Sequence, residues 1–176
     1  MKTNVVLIGF MGTGKTAVGS LLAEKLNRQF IELDWMIEKD AGKPIPEIFR
    51  NGGEIAFREY EIAAAKKATE KNRSIIACGG GMVLNKINVD RLKQSGIIFC
   101  LTASPSVILE RTQSQAGTRP LLNVADPAKE IRELVTYRKP YYDRAADYTV
   151  NTTGKNIQEV AQEITDILEK DESFDR

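Results

Sequence analysis

The chain has 176 residues, with 25 basic and 24 acidic side chains interspersed to a net charge of +1, and it contains no histidine. That length fits one domain, residues 1–176, with a substantial core, and the mixed charge lacks the basic stripe of a nucleic-acid binder and the polybasic patch of a membrane anchor. Without histidine, Ser-His-Asp and Cys-His mechanisms are excluded, so any general base is a carboxylate, Lys, Tyr or Cys.

The first apolar run, Val5–Ile8, leads directly into Gly9-Phe10-Met11-Gly12-Thr13-Gly14-Lys15-Thr16, which matches the phosphate-binding pattern G-x-x-x-x-G-K-[ST]. Such a P-loop sets backbone N–H groups around the β-phosphate of a nucleoside triphosphate, brings Lys15 to the β- and γ-phosphates and leaves the Thr16 hydroxyl for Mg²⁺. Its glycines permit close backbone approach. Val18, Leu21, Leu22, Lys25 and Leu26 then continue at helical spacing, so a helix N-terminal dipole adds to the anion site. Residues Gly12 to Ala17 are the expected nucleotide-binding segment.

The second run, Phe30–Leu33, carries Glu32 and leads to Asp34, two carboxylates two residues apart on the P-loop rim. One suits Mg²⁺ and the other an acceptor hydroxyl; Asp34 equally suits the N-cap of a helix beginning at Trp35. From Asp34 to about Lys71 the pattern is a long helical insertion containing Pro44-Ile-Pro46 and Glu54 to Glu61, and residues 34–61 are expected to cap the acceptor site. The third run, Ser74–Cys78, ends in Gly79-Gly80-Gly81. Three glycines at the carboxyl end of a parallel strand suit backbone packed against a substrate or phosphate.

The fourth run, Ile97–Leu101, is apolar on both alternating faces and is expected at the sheet centre. Residues 114–126 contain Gly117-Thr-Arg119-Pro-Leu-Leu-Asn, a breaker-rich stretch read as a lid loop. A short fifth strand, Tyr148–Val150, precedes a helix with Ile157, Val160, Ala161, Ile164 and Leu168 on one stripe, and the acidic tail after Glu169 is expected to fray. Strands alternating with helices predict an α/β fold: three α/β/α layers around a five-stranded parallel sheet. No apolar run approaches a membrane span and the first strand follows Asn4 at once, leaving no signal peptide; a cytoplasmic protein with reduced thiols at Cys78 and Cys100 is expected.

A P-loop alone is compatible with GTPases, motor ATPases and small-molecule kinases. The chain has no N-K-x-D guanine signature and no apolar strand ending in Asp-Glu. Arg58 on the insertion, Arg111 and Arg119 around the lid, and Arg138 before Lys139-Pro140-Tyr141-Tyr142 supply guanidinium forks suited to phosphate or carboxylate oxygens. The residues therefore point to a metabolite kinase with an anionic acceptor.

In Gly53-Glu54-Ile-Ala-Phe57-Arg58-Glu-Tyr-Glu61, Gly79-Gly80-Gly81, Arg119-Pro120-Leu121-Leu122 and Arg138-Lys-Pro140-Tyr-Tyr142, placed in that order behind the P-loop, the chain resembles the shikimate kinases from residue 4 to about residue 168. The resemblance implies transfer of the γ-phosphate of ATP to the 3-hydroxyl of shikimate, on the route to chorismate and the aromatic amino acids. It implies that Arg58 and Arg138 hold the shikimate carboxylate, that Asp34 binds ring hydroxyls and accepts the proton, and that Glu61 orients Arg58. Gly79, Gly80 and Gly81 would line the acceptor site, Gly80 through its backbone. Lys15 and Arg119 would neutralise charge on the transferred phosphoryl group, with Mg²⁺ on Thr16 and, through water, on position 32. The family commonly has Asp where this chain has Glu32. Arg111 would stack on adenine, with residues 151–156, Lys155 included, on the other side.

Two other readings remain at this stage: a gluconate or nucleoside monophosphate kinase, which shares P-loop and lid, and a nucleotide-binding regulator that has lost transfer. The chain is expected to act as a monomer, since no long exposed apolar helix or strand edge demands a partner.

Overall fold

Successive side chains along a strand point to opposite faces, and in β1 (Asn4–Ile8) both sets are buried and, after Asn4, apolar, so both faces of the sheet must be covered. In the computed structural model, which describes residues 1–113 and 124–175, the sheet has five parallel strands in the order β2-β3-β1-β4-β5. These are β2 (Gln29–Glu32), β3 (Ser74–Ala77), β4 (Gly96–Thr102) and β5 (Tyr148–Asn151). Val5, Leu7, Ile75, Ile97, Phe99 and Leu101 pack on one face beneath α1 (Lys15–Lys25) and α7 (Ile157–Lys170). Val6, Ile8, Ile31, Ile76, Ile98 and Cys100 pack on the other, beneath α3 (Ile45–Thr69), α4 (Lys86–Ser95), α5 (Pro105–Gln113) and α6 (Pro127–Ala145). The expected three-layer α/β/α architecture is present. None of the described helices is long and apolar enough to cross a membrane.

The register aligns the carboxyl ends. Ile8 pairs with Cys100, Leu7 with Ala77 and Ala77 with Glu32, so the P-loop, the start of α2 (Leu33–Ala41) and the glycine turn leave the sheet along one edge. Local signals set the helix starts. Asn156 and Glu159 form a capping box at α7, and Asp126 caps α6 ahead of Pro127.

Several expectations change. The fourth run is interior, with β1 on one side and β5 on the other, but β1 is the middle strand. The second strand stops at Glu32, which is itself the N-cap of α2, so Asp34 lies inside the first helical turn and is neither strand end nor cap. The insertion is two helices, and α3 is broken at Gly53, whose φ of 68° and ψ of −168° are open to glycine and strained for other residues. Of the lid, residues 114–123 lie outside the described residues.

The tail is docked where fraying was expected. Phe174 is 6 % exposed in the core beneath α1 and α7, Lys2 N–H donates to Ser173 O at 2.8 Å, and the Arg28 guanidinium lies 4.6 Å from the Phe174 ring centroid. The sole aromatic residue in an otherwise polar tail supplies the apolar surface that ordering it requires. Phe174→Ala is expected to lower unfolding stability by about 2 kcal/mol through the lost burial and stacking; a urea midpoint equal to that of the parent would show the tail contributes nothing.

Candidate active site

The P-loop folds as its glycines demand. Gly14 caps α1 with φ of 95°, and the Thr13 hydroxyl, 1 % exposed as a residue, donates to Phe10 O at 2.8 Å to brace the turn. Lys15 reaches back over the loop, its Nζ donating to Gly9 O and Phe10 O, each at 2.9 Å. The Thr16 hydroxyl at the start of α1 donates to Glu32 Oε2 at 2.6 Å. Burial pushes the Glu32 carboxyl above the usual range, with the Thr16 hydrogen bond pulling against it. Two hard oxygen donors thus meet beside the P-loop, a set that suits Mg²⁺, which takes one or two protein oxygens and completes its shell with substrate phosphates and water.

A cavity of about 300 Å³ is lined by Gly12, Gly14, Lys15, Thr16 and Ala17 together with Glu32, Asp34, Gly79 and Gly80. The missing side chains of the glycine turn are what let Asp34, Arg138 and Arg58 come close. A Cβ at Gly79 would fall 2.8 Å from Asp34 Oδ1, one at Gly80 would lie 3.5 Å from Arg138 Nη1, and one at Gly81 would fall 2.8 Å from Arg58 Nη2. The Tyr142 hydroxyl donates to Gly80 O at 2.7 Å, tying α6 to this turn, and burial raises the Tyr142 hydroxyl well above its ordinary pKa. The sequence alone assigns Tyr142 no role; its signal is the four-residue spacing from Arg138, which puts both on one helix face.

Arg58 and Arg138 approach from opposite helices. Arg58 Nη1 donates to Glu61 Oε2, and Glu61 is 1 % exposed. Burial drives the Glu61 carboxyl above the usual range while the Arg58 guanidinium pulls it down. Arg138 is 6 % exposed, its guanidinium 5.7 Å from the Phe10 ring centroid, and its buried Nε has no hydrogen-bond partner among the described residues. A buried guanidinium with an unused donor is a natural anchor for an anionic ligand.

A second cavity of about 380 Å³ opens on the far side of the P-loop between Thr13, Ala17, Arg111, Thr152 and Lys155. Arg111 joins its walls, with Nη1 donating to Gly12 O at 3.2 Å and to Thr152 Oγ1 at 3.0 Å. Those hydrogen bonds use the guanidinium edges and leave its faces for a planar group. Lys155 is paired with Glu163 on α7 at 2.5 Å. Arg119 lies outside the described residues. Both cysteines are buried and free.

Comparison with known proteins gives one answer at every level. The family model described as shikimate kinase matches residues 11–169. A shikimate kinase of Thermodesulfovibrio yellowstonii is 50 % identical over 161 residues, covering 92 % of each chain. A solved shikimate kinase from Acinetobacter baumannii in complex with shikimate superposes with a TM-score of 0.93 at 36 % identity, covering 98 % of this chain and 96 % of that one. A gluconokinase from Sinorhizobium meliloti shares the fold alone, with a TM-score of 0.55 at 18 % identity.

Proposed function

The chain belongs to the shikimate kinase family, and from that premise we propose that it transfers the γ-phosphate of ATP to the 3-hydroxyl of shikimate with the roles that follow. The observation that carries this reading is the single cavity shared by the P-loop lysine and threonine, the Asp34 carboxylate and the glycine turn. A phosphate-binding loop and a carboxylate suited to accept a proton, lining one space, support transfer between ligands held there.

In this mechanism Asp34 accepts the proton of the shikimate 3-hydroxyl as that oxygen bonds to the γ-phosphorus. The bond from phosphorus to the β,γ-bridging oxygen breaks, and its electron pair leaves with ADP. Lys15, with the P-loop N–H groups, balances charge on the β- and γ-phosphates, and Arg119 does so from the lid. Thr16 and, through water, Glu32 would hold Mg²⁺, which would supply further neutralisation of the phosphates; the Glu32 side chain, longer than aspartate, already reaches the Thr16 hydroxyl. Arg58 and Arg138 hold the carboxylate, with Glu61 fixing Arg58 and Gly79, Gly80 and Gly81 forming the floor. Arg111 and Lys155 flank the adenine in the second cavity. Residues 1–176 act as one catalytic unit, monomeric and cytoplasmic, with ATP and shikimate as its partners.

A coupled ADP-release assay with ATP and Mg²⁺ tests the reading, comparing shikimate with quinate, gluconate, AMP and no acceptor. Release dependent on shikimate is expected; release with gluconate or AMP instead would refute the assignment of a carboxylate site. Arg138→Ala is expected to raise the KM for shikimate by about 10- to 100-fold, because a buried charged contact is lost, with the KM for ATP little changed. An equal loss of both affinities would remove Arg138 from the acceptor site.

A further inference from the structure

Arg58 sits between two carboxylates of very different accessibility. Its Nη1 is held by Glu61, which is buried, whereas its Nε and Nη2 both donate to Glu54 Oε1, at 3.2 and 2.7 Å, and the Glu54 side chain is 65 % exposed. Nε and Nη2 form the side edge of the guanidinium, one of the edges on which a carboxylate takes two parallel hydrogen bonds. Gly81 lies against the group, so close that a Cβ there would be only 3.0 Å from Arg58 Cζ, and this favours approach by a ligand at an edge.

The two carboxylates differ in what their release costs. Freeing Glu61 would strand a buried charge, a large penalty, whereas Glu54, with its side chain 65 % exposed, is resolvated by water when it leaves Arg58, so its release costs little. Glu54 also follows directly on Gly53, where α3 breaks, so it stands at a joint between two helical segments.

We propose that Glu54 is a displaceable internal carboxylate that occupies the side edge of Arg58 and is exchanged for the carboxylate of shikimate when the acceptor binds. Glu54 is thereby a positioning residue: it keeps Arg58 aligned before binding and sets acceptor affinity through competition. The inference rests on the reading of Arg58 as a carboxylate clamp.

Calorimetric titration with shikimate tests it in the parent, Glu54→Gln, Arg58→Ala and the double variant. Because Arg58→Ala leaves Glu61 without its charge partner, Arg58→Lys, which keeps that charge but lacks the two-donor edge, runs in parallel alone and with Glu54→Gln. Neutralising Glu54 is expected to lower the shikimate Kd by about two- to five-fold, the scale of one exposed ion pair. The shikimate KM should fall by the same factor while the KM for ATP stays in place. That gain should vanish in the Arg58 variants. A Kd that is unchanged or raised by Glu54→Gln would overturn the exchange, and so would a gain that persists without Arg58, which would mean plain charge repulsion. If the Arg58 variants bind shikimate as the parent does, the clamp reading itself falls.

Discussion

Asp34→Asn is expected to lower kcat by about 10²- to 10⁴-fold, the range of a positioned general base, with little effect on the unfolding midpoint. The carboxylate lies in the first turn of α2, where asparagine fits the same space, and it lines the same cavity as Lys15. In the proposed mechanism, asparagine can still hydrogen-bond a ring hydroxyl but cannot take its proton at neutral pH. The loss should therefore fall on kcat more than on the KM for shikimate. Steady-state kinetics beside thermal melts decide the matter: a kcat equal to that of the parent would remove Asp34 from proton transfer.

Lys15→Met is expected to cost about 10²- to 10³-fold in kcat and to raise the KM for ATP, because the methionine keeps an apolar stem of similar length and removes the charge and its hydrogen-bond donors. Lys15 Nζ is held by Gly9 O and Phe10 O, both within the loop, so the ammonium is preorganised by the backbone that would cradle the phosphates. If the variant keeps the parent's kcat and loses only ATP affinity, Lys15 serves binding and not the transition state.

The arginines mark where sequence reasoning was strong and where it stopped. Arg58 and Arg138 were legible as guanidiniums suited to an anion, yet they sit on α3 and α6, 80 residues apart in the chain, and only the covering of one sheet face by both helices brings them to the same glycine turn. Glu54 was read as part of a helical motif; that it grips the open edge of Arg58 follows from the turn of α3 after Gly53. The same is true of Thr16 and Glu32, which are adjacent because β2 ends beside the P-loop at the same sheet edge. The tail was misread because a largely acidic segment looks solvated, and one aromatic residue is a weak signal until a groove exists to receive it.

The sequence by itself determined the alternation of strands and helices, the phosphate-loop motif and its place before α1, the need for a base other than histidine, and the residue types of the proposed acceptor site. These are local matters: spacing along one chain segment decides which backbone N–H groups converge and which side chains share a face. Tertiary structure alone decided the strand order, the middle position of β1, the docking of Phe174, and the partners of Arg58, Arg111 and Tyr142. Those depend on which elements cross the sheet and where they land, and no segment of sequence encodes a neighbour that lies 60 residues away until the core is packed.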